Sequence, residues 1–595
     1  MTQHGVSPGG LLRAIAITPA RDPVPFLLRD ADGAVLAEGM TDPFGPDEAS
    51  GAGVHVISLT APEAEADGLV LEACGGASRP FRVKSGLYAE LSEDALRYFY
   101  HNRIGIPIEE RFVQGPEWAR PESLNPVIAS CFSGTDTLGN SWPGCDYSLD
   151  VTGSWFDAGD FGVYAVNMGI TIWTLQSAYE RLAVKGLVEE AGWADGRMQL
   201  PETGNGVSEL LDEARWGMES LLRLQVPEGG QTVVARGLLT GSGQPAILTR
   251  IAAGGLVHHK LAGRNWPPLP IWPWDDAQER YLYPPSTSAT LALAATGAQC
   301  ARLWAGLDDA FAGRCFDAAR RAYDAAKRHP EIYASNNFDG SGGYGDNRLQ
   351  DEFAWAAAEL FITSGDPAYL SDLAATPAFA APKDSFGWAD VDLLPALSLA
   401  VQADDRHRDT SARARRTVVN AADSVLNIRD REGFRTLLAP GDYHWGSNSM
   451  LINRGLILAA AYDLTGEARY REGAVDAMDY ILGRNILDQS YVSGYGARPM
   501  RAPHHRIWAG AIDPAFPLPP PGALSGGPNN RNMSDPVAQE MRGTCAPMAC
   551  WADDVASYAL NEVAINWNAP LAALAIFLDQ TERAGRTRQE TETGE

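Results

Sequence analysis

No stretch of this 595-residue chain approaches the about eighteen consecutive apolar residues of a bilayer-spanning helix, so no membrane span is expected. The first twenty residues hold Arg13 inside their only apolar run and show no small-residue cleavage pattern. A signal peptide is therefore not read and a cytoplasmic location is expected, secretion requiring a trimmed N-terminus or non-standard export. Basic residues are few beside the acids: 48 Lys and Arg against 75 Asp and Glu give a net charge of −27 and a pI near 4.8. That balance opposes binding to a nucleic-acid backbone or an anionic membrane surface and leaves neutral or cationic partners. Cysteines are only seven, an odd number that suits a reducing compartment. Cys131 with Cys145, or Cys545 with Cys550, would pair only in an exported chain. HExxH and CxxC metal motifs are lacking too.

What is present divides the chain. Its length exceeds one ordinary core, so a large domain with a smaller one is expected. Short alternating apolar segments at residues 13–18, 26–29, 54–59, 69–73 and 81–83 are broken by Gly, Pro and Asp clusters, which predicts a small β-sandwich over residues 1–84. From residue 85 the texture becomes helical, with amphipathic segments at 91–104, 166–182, 208–224, 287–303, 309–328, 350–363, 391–402, 411–427, 449–465, 470–482 and 564–578. In the third of these, Leu210, Ala214, Gly217, Leu221 and Leu224 form one stripe. Helices joined by Gly-, Pro- and aromatic-rich loops, without a fixed repeat, predict an all-α barrel of helical hairpins over 85–580 rather than a solenoid. The polar stretch 581–595 is expected to be disordered.

Acids at two distant places suggest hydrolytic chemistry. Asp157 and Asp160 stand in the loop-like Trp155-Phe156-Asp157-Ala158-Gly159-Asp160, where two carboxylates with small residues between them can converge on one water. The plainer reading is a pair of acids offsetting a helix dipole. Far downstream, Glu562 lies in Asn561-Glu562-Val563-Ala564-Ile565-Asn566-Trp567-Asn568, among side chains suited to polar ligands; alone it would be an ordinary glutamate in the first turn of a helix. A two-carboxylate glycoside hydrolase needs such separated groups, one to protonate a leaving oxygen and one to activate water or attack the sugar. His504-His505-Arg506 follows Pro503 in a loop and suits sugar hydroxyls better than a metal, because adjacent histidines do not easily chelate one ion. Gly340-Ser341-Gly342-Gly343-Tyr344-Gly345 matches a dinucleotide fingerprint by letter, but no βαβ context surrounds it. Of sixteen tryptophans, Trp266, Trp272, Trp274, Trp445, Trp508 and Trp567 fall in predicted loops or at helix starts, where aromatic faces suit pyranose rings.

Ordered blocks carry a more specific likeness: Ala95-Leu96-Arg97-Tyr98-Phe99-Tyr100-His101, Asp157-Ala158-Gly159-Asp160, Leu211-Asp212-Glu213-Ala214-Arg215-Trp216-Gly217, Tyr283-Pro284-Pro285-Ser286-Thr287, Trp445-Gly446-Ser447-Asn448, Pro503-His504-His505-Arg506 and Asn561-Glu562-Val563-Ala564. With them the chain, from about Lys84 to Asp579, resembles the family 9 glycoside hydrolases, inverting cellulases whose (α/α)6 barrel follows an immunoglobulin-like domain. The resemblance implies that Asp160 is the general base for the attacking water, Asp157 helps hold that water, and Glu562 is the general acid. It places His504 and Arg506 on hydroxyls beside the scissile bond, and His259, Tyr283, Trp445 and Trp567 as further substrate-binding positions.

The same likeness implies calcium at Asn347, the Arg348 carbonyl, Asp351 and Glu352, completed by Asp390; hard oxygen ligands suit that ion. Relatives with this sandwich often hold a structural zinc through a Cys, a Cys-His pair and a His. The corresponding residues here are Ile104, Cys131 with Phe132, and Phe156, so no zinc is expected and apolar packing takes its place. The implied activity is endo-acting hydrolysis of a β-1,4-linked glucan by a monomeric enzyme. An exo-acting enzyme on imported oligosaccharides, including glucosamine-containing ones, is the first alternative, and a non-enzymatic carbohydrate-binding protein is the second.

Overall fold

The computed structural model of the chain describes residues 1–237, 246–402 and 407–593. These fall into two compact units, one comprising Met1–Tyr98, Val419–His504 and Trp508–Glu595, the other Phe99–Val418 with His505–Ile507.

The first unit opens with strands β1 (Leu11–Ile17), β2 (Pro25–Arg29), β3 (Val35–Met40), β4 (Asp42–Asp47), β5 (Ala52–Thr60), β6 (Ala66–Ala73), β7 (Gly76–Ala77) and β8 (Phe81–Val83). One sheet runs β1-β5-β4; the other runs β3-β2-β6-β7, with β8 also on β6. Because side chains alternate along a strand, Leu12 and Ala14 of β1 and Phe26 and Leu28 of β2 turn inward. They join Ile57, Leu69, Leu71, Phe81 and Val83 in one buried cluster. The sequence pattern located five of these strands and missed β3, β4 and the two-residue β7. Strand β3 is an edge with little buried side chain. Strand β4, Asp42-Pro43-Phe44-Gly45-Pro46-Asp47, is an edge of the other sheet, where proline is tolerated because no partner needs its amide, and its register shifts between Pro43 and Gly45.

Helix α1 (Ala89–His101) starts in this unit. Helices Ser447–Thr465 and Ala468–Ile481 form a hairpin turned by Gly466, at φ 72, and pack with Ile565–Thr593. Arg13 of β1 pairs with Asp476 of that hairpin, and Asp47 of β4 accepts the Gly433 amide at 2.7 Å. The division expected at residue 84 thus marks the last sandwich strand, while the compact unit also takes in the C-terminal helices. The final helix runs on to Thr593, into the stretch expected to be disordered; residues 594 and 595 lie outside the described residues.

In the second unit, α2 (Ala165–Val184) and α4 (Thr287–Trp304) are buried on nearly every side, whereas α3 (Glu209–Arg223) and α5 (Asp309–Arg328) each bury one face. That is the pattern of inner and outer helices in hairpins. Ser286 caps α4 by accepting the Ala289 amide at 3.1 Å, and Asp308 caps α5 through the Phe311 amide at 3.0 Å. Helix α6 (Gln350–Ser364) packs on α4 and ends at Gly365, at φ 70. Among the described residues neither unit by itself closes a ring; the helices of the expected (α/α)6 barrel are seen in each as packed pairs. No helix among the described residues is long and apolar enough to cross a membrane.

Disulfides join Cys131 to Cys145, Cys300 to Cys315 and Cys545 to Cys550, and Cys74 is free and exposed. The pair linking α4 to α5 had no signature in the spacing.

A buried ion pair positions a two-stranded sheet of the second unit. Arg103, with 0% side-chain exposure, donates to both Glu213 oxygens at 3.1 and 2.8 Å and to Glu202 at 2.8 Å. Its guanidinium lies 4.6 Å over Trp216. Trp155, which pairs with Arg103 in the strands Arg103–Ile104 and Ser154–Trp155, donates its indole N–H to Glu213 at 2.8 Å. Removing one partner of a buried pair strands the other charge. Glu213→Ala is expected to lower unfolding free energy by about 3–5 kcal/mol, whereas Glu202→Ala, at a more exposed partner, should cost under about 1 kcal/mol. Urea unfolding of both variants measures this, and equal losses would contradict the assignment.

Candidate active site

In the second unit the strand that carries Trp155 runs straight into the acids. Phe156 donates its amide to Asn102 O at 2.9 Å and Asp157 donates its own to Gly162 O at 3.1 Å, closing a tight turn that holds Asp157 and Asp160 buried. Asp157 Oδ2 accepts from Asn167 and from the Tyr344 hydroxyl, both at 3.0 Å, while its Oδ1 is buried without a hydrogen-bond partner. Burial first, and the charge of Asp160 second, push the Asp157 pKa well above the usual carboxylate range. Asp160 Oδ2 accepts the Tyr164 hydroxyl proton at 2.8 Å, and that hydroxyl accepts the Gly342 amide at 2.9 Å. One oxygen of Asp157 is thus buried without a partner beside a second carboxylate.

The glycine-rich segment dismissed as a nucleotide loop frames this turn. Gly342 O accepts from Lys260 Nζ at 2.7 Å, Gly343 O pairs with His259 Nε2 at 3.1 Å, and Tyr344 reaches Asp157 from a left-handed backbone at φ 45. A Cβ at Gly343 would lie 1.5 Å from Asn336 Oδ1, so close approach explains that glycine. Burial lowers the Lys260 pKa to about 7 against the pull of Asp160; burial and then Lys260 lower His259 to about 3. Arg506 clamps the other side of the turn, donating its backbone N–H to Gly159 O at 3.0 Å and its guanidinium to Gly159 O at 3.1 Å and Pro267 O at 3.3 Å.

In the first unit, Glu562 is an extended residue, at φ −71 and ψ 161, after the short helix Tyr558–Asn561, and not part of the first turn of the following helix. His504 pairs with it in a β-bridge. The His504 amide donates to Asn561 O at 2.9 Å, and its Nδ1 pairs with Val555 O at 2.7 Å. Asn561 is fully engaged, donating to Ala502 O and Asp553 and accepting from Ser525. Tyr558 lies 5.6 Å from the His504 ring and 5.6 Å from Trp445, which is 36% exposed. Glu562 therefore neighbours a short row of aromatic rings.

The side chains at three other expected substrate-binding positions are engaged by groups within the protein. Tyr283 is 1% exposed, donates to Gly263 O at 2.9 Å and stacks 5.3 Å from Phe132. His259 has both ring nitrogens engaged, by Ser286 at 2.8 Å and by Gly343. Trp567 is buried against Gly446 and Gly526, where a Cβ would come within 3.0 and 2.8 Å of its ring. Sequence reasoning missed Tyr164, Asn167, Lys260 and Tyr344. Only the Gly-rich run beside Tyr344 signalled anything, and its letters pointed to other chemistry.

An acidic cluster also forms in this unit. Oxygens of Asp351, Asp390 and Asp392 lie within 4.8 Å of one another. Arg348 donates to Asp351 at 3.0 Å, Asp390 at 2.6 Å and Asp392 at 3.1 Å. Asp351 Oδ1, Asp346 Oδ2 and both Glu352 oxygens are buried without hydrogen-bond partners, and burial followed by Asp351 and Asp346 raises Glu352 well above the carboxylate range. Orphaned hard oxygens of this kind fit a metal ion. Asp346 and Asp392 were not expected; Asn347 adds no carboxylate. At the positions compared with a zinc site, Phe156 packs 4.8 Å from Phe161, Phe132 lies among Tyr283 and Phe338, and Cys131 is in a disulfide, so the donor set does not fit zinc.

Comparison with known proteins gives consistent findings. The sequence profile of glycosyl hydrolase family 9 matches residues 88–575. Endoglucanase C of Cellulomonas fimi is 39% identical over 97% of the chain and 51% of its own length, so the chain spans about half of that relative. A cellulose 1,4-beta-cellobiosidase of Acetivibrio thermocellus is 35% identical over 98% of the chain and 67% of its own length. The crystal structure of a metagenome-derived family 9 endoglucanase superposes with a TM-score of 0.79 at 30% identity, covering 97% of the chain and 98% of that structure.

The raised Asp157 pKa has a consequence for stability. Folded Asp157 keeps a proton that the unfolded chain releases above its ordinary pKa near 3.8. Its contribution is thus fully present below that value and is lost as pH rises toward the folded pKa. Asp157→Asn removes this loss while its amide oxygen still accepts from Asn167 and Tyr344. The melting temperature of the variant relative to the wild type is expected to rise between pH 4 and pH 7; a difference independent of pH would contradict the buried, protonated assignment.

Proposed function

The chain belongs to glycosyl hydrolase family 9, and from that premise we propose that it cleaves β-1,4-glucosidic bonds of cellulose-type chains by an inverting, endo-acting mechanism. The observation that carries the reading is the Asp157–Asp160 turn, where one buried carboxylate oxygen is left unpartnered beside a second acid oriented by Tyr164. Asp160 takes a proton from water as it attacks the anomeric carbon, Asp157 holds that water, and Glu562 delivers its proton to the departing glycosidic oxygen. Electrons flow from water to the anomeric carbon and from the broken C–O bond to the leaving oxygen, so the acid finishes deprotonated and the base protonated. His504 and Arg506 bind hydroxyls, and Trp445 offers an exposed ring to a sugar face.

Release of cellobiose from chain ends is the second reading, favoured by the likeness to a cellobiosidase over nearly the whole chain. Presence of all three acids argues against a binding-only protein. The three disulfides support the exported alternative over a cytoplasmic location. A monomer acting on a neutral glucan, without nucleic-acid partners, fits the charge. The metal reading is calcium, held by Asp346, Asp351, Glu352, Asp390 and Asp392 with main-chain oxygen from the Asn347-Arg348 turn. Bound there, the ion would neutralise the acids and brace the start of α6.

Glu562→Gln is expected to lower cellohexaose hydrolysis by about 10²–10⁴-fold while retaining binding, and NMR of the wild-type reaction should show the α-anomer forming first. Unchanged turnover would overturn the acid assignment, and a β-anomer the inversion. Chelation with EDTA should lower the melting temperature and added Ca²⁺ should restore it, with the response abolished in Asp351→Asn/Glu352→Gln; indifference to both treatments would overturn the calcium assignment.

A further inference from the structure

We propose that Asn561 is the positioning residue of the acid Glu562, its carboxamide fixing the two chain segments that flank that glutamate; this rests on the hydrolase reading above. Asn561 is fully buried and spends its polar atoms on three separate stretches of chain. Its Nδ2 donates to Ala502 O at 2.7 Å and to Asp553 Oδ1 at 2.9 Å, and its Oδ1 accepts the Ser525 hydroxyl at 2.8 Å. Asp553 in turn accepts the Arg501 and Ala502 amides at 2.9 and 2.8 Å, which ties it to the same stretch as Ala502.

The backbone around Glu562 is bonded to the same two neighbours. His504, just past Ala502, bridges to Glu562 as a parallel partner and donates its amide to Asn561 O at 2.9 Å. Ser525 bridges to Val563 as an antiparallel partner, and Gly526 donates its amide to Glu562 O at 2.8 Å. The Asn561 side chain therefore repeats, one residue before the acid, the connection that the acid's own backbone makes. Only an amide meets the demands of this place. Ser525 Oγ receives the Trp551 indole N–H at 3.0 Å, which leaves its own proton for Asn561 Oδ1, with Leu560 O farther away at 3.4 Å. Both Nδ2 protons go to oxygens of a carbonyl and a carboxylate, which accept. An aspartate of the same size would set an acceptor against acceptors and leave buried groups unpaired. Because both Nδ2 protons are spent inside the protein, Asn561 acts through the place of Glu562 rather than on the sugar. A general acid has to stand within hydrogen-bond reach of the leaving oxygen, and a misplacement of about 1 Å costs about 10²-fold.

A leaving group that departs without a proton separates this role from a general loss of structure. Cellohexaose needs the acid to protonate its leaving oxygen, whereas dinitrophenyl β-cellotrioside releases a stable phenolate and does not. In Asn561→Asp the ratio of kcat/KM for cellohexaose to that for the dinitrophenyl substrate is expected to fall about 10²-fold, in the same direction as in Glu562→Gln. Ser525→Ala removes only the donor to Oδ1 and is expected to lower the ratio about fivefold, the equivalent of one ordinary hydrogen bond. It decides the matter where Asn561→Asp does not fold. A ratio within twofold of wild type, whether neither substrate is affected or both fall together, would make Asn561 a merely structural residue and overturn the proposal. A wild-type chain inactive on both substrates would instead overturn the hydrolase reading, and a Glu562→Gln chain that loses both equally would overturn the acid assignment, so the failures are distinguishable.

Discussion

A guanidinium sealed from solvent sets the geometry on which the second unit's chemistry depends. Arg103 is compensated by Glu213 and Glu202 and capped by Trp216, and Glu213 also holds the indole of Trp155. Desolvating three charges is costly unless each finds its partner in a fixed place, so this network tolerates little displacement. It locks the strand Ser154–Trp155 beside Arg103–Ile104, and the next residues, Phe156 and Asp157, enter the Asp157–Asp160 turn from a defined direction. Asp157 can remain buried with one unpartnered oxygen because its approach is fixed two residues earlier.

Around that turn the protein holds several groups away from their ordinary protonation. Asp157 is raised by burial, while Lys260 and His259 are lowered by it. Such groups oppose stability and persist where surrounding structure over-determines them. The constraint here comes from backbone as much as from side chains: Gly342 and Gly343 bring carbonyl and amide groups within reach of Lys260, His259 and Tyr164, where a larger residue would collide with Asn336 or Tyr344. Arg506 provides the matching restraint through Gly159.

The same logic operates at smaller scale elsewhere. The sandwich is tied within its unit by Arg13 to Asp476 and by Asp47 to the Gly433 amide, so its β1 and β4 are anchored by charge as well as packing. In the acidic cluster, Arg348 neutralises three aspartates, yet the unpartnered oxygens of Asp346, Asp351 and Glu352 remain buried nearby. That residue of unsatisfied charge is what makes the cluster a metal candidate rather than a simple ion-pair network.

Periodicity alone determined most elements: the inward alternation of Leu12 and Ala14, the apolar stripe of Leu210 to Leu224, and helix spans such as Asp309–Arg328 follow from local pattern, because burial of one face selects one period. Local pattern failed at β3 and β4, edge strands with little buried side chain or with proline, where that selection is absent. Ordered motifs singled out Asp157, Asp160 and Glu562, but no spacing distinguished a catalytic acid from a helix-start acid. Tertiary structure decided which groups surround them. It engaged Tyr283 and His259 within the protein, recruited Tyr164 from the start of α2 and Tyr344 from a glycine loop, and joined Ala502 to Ser525 through the side chain of Asn561. Those choices depend on distances between segments far apart in the chain, and distance in space is the quantity that sequence spacing does not carry.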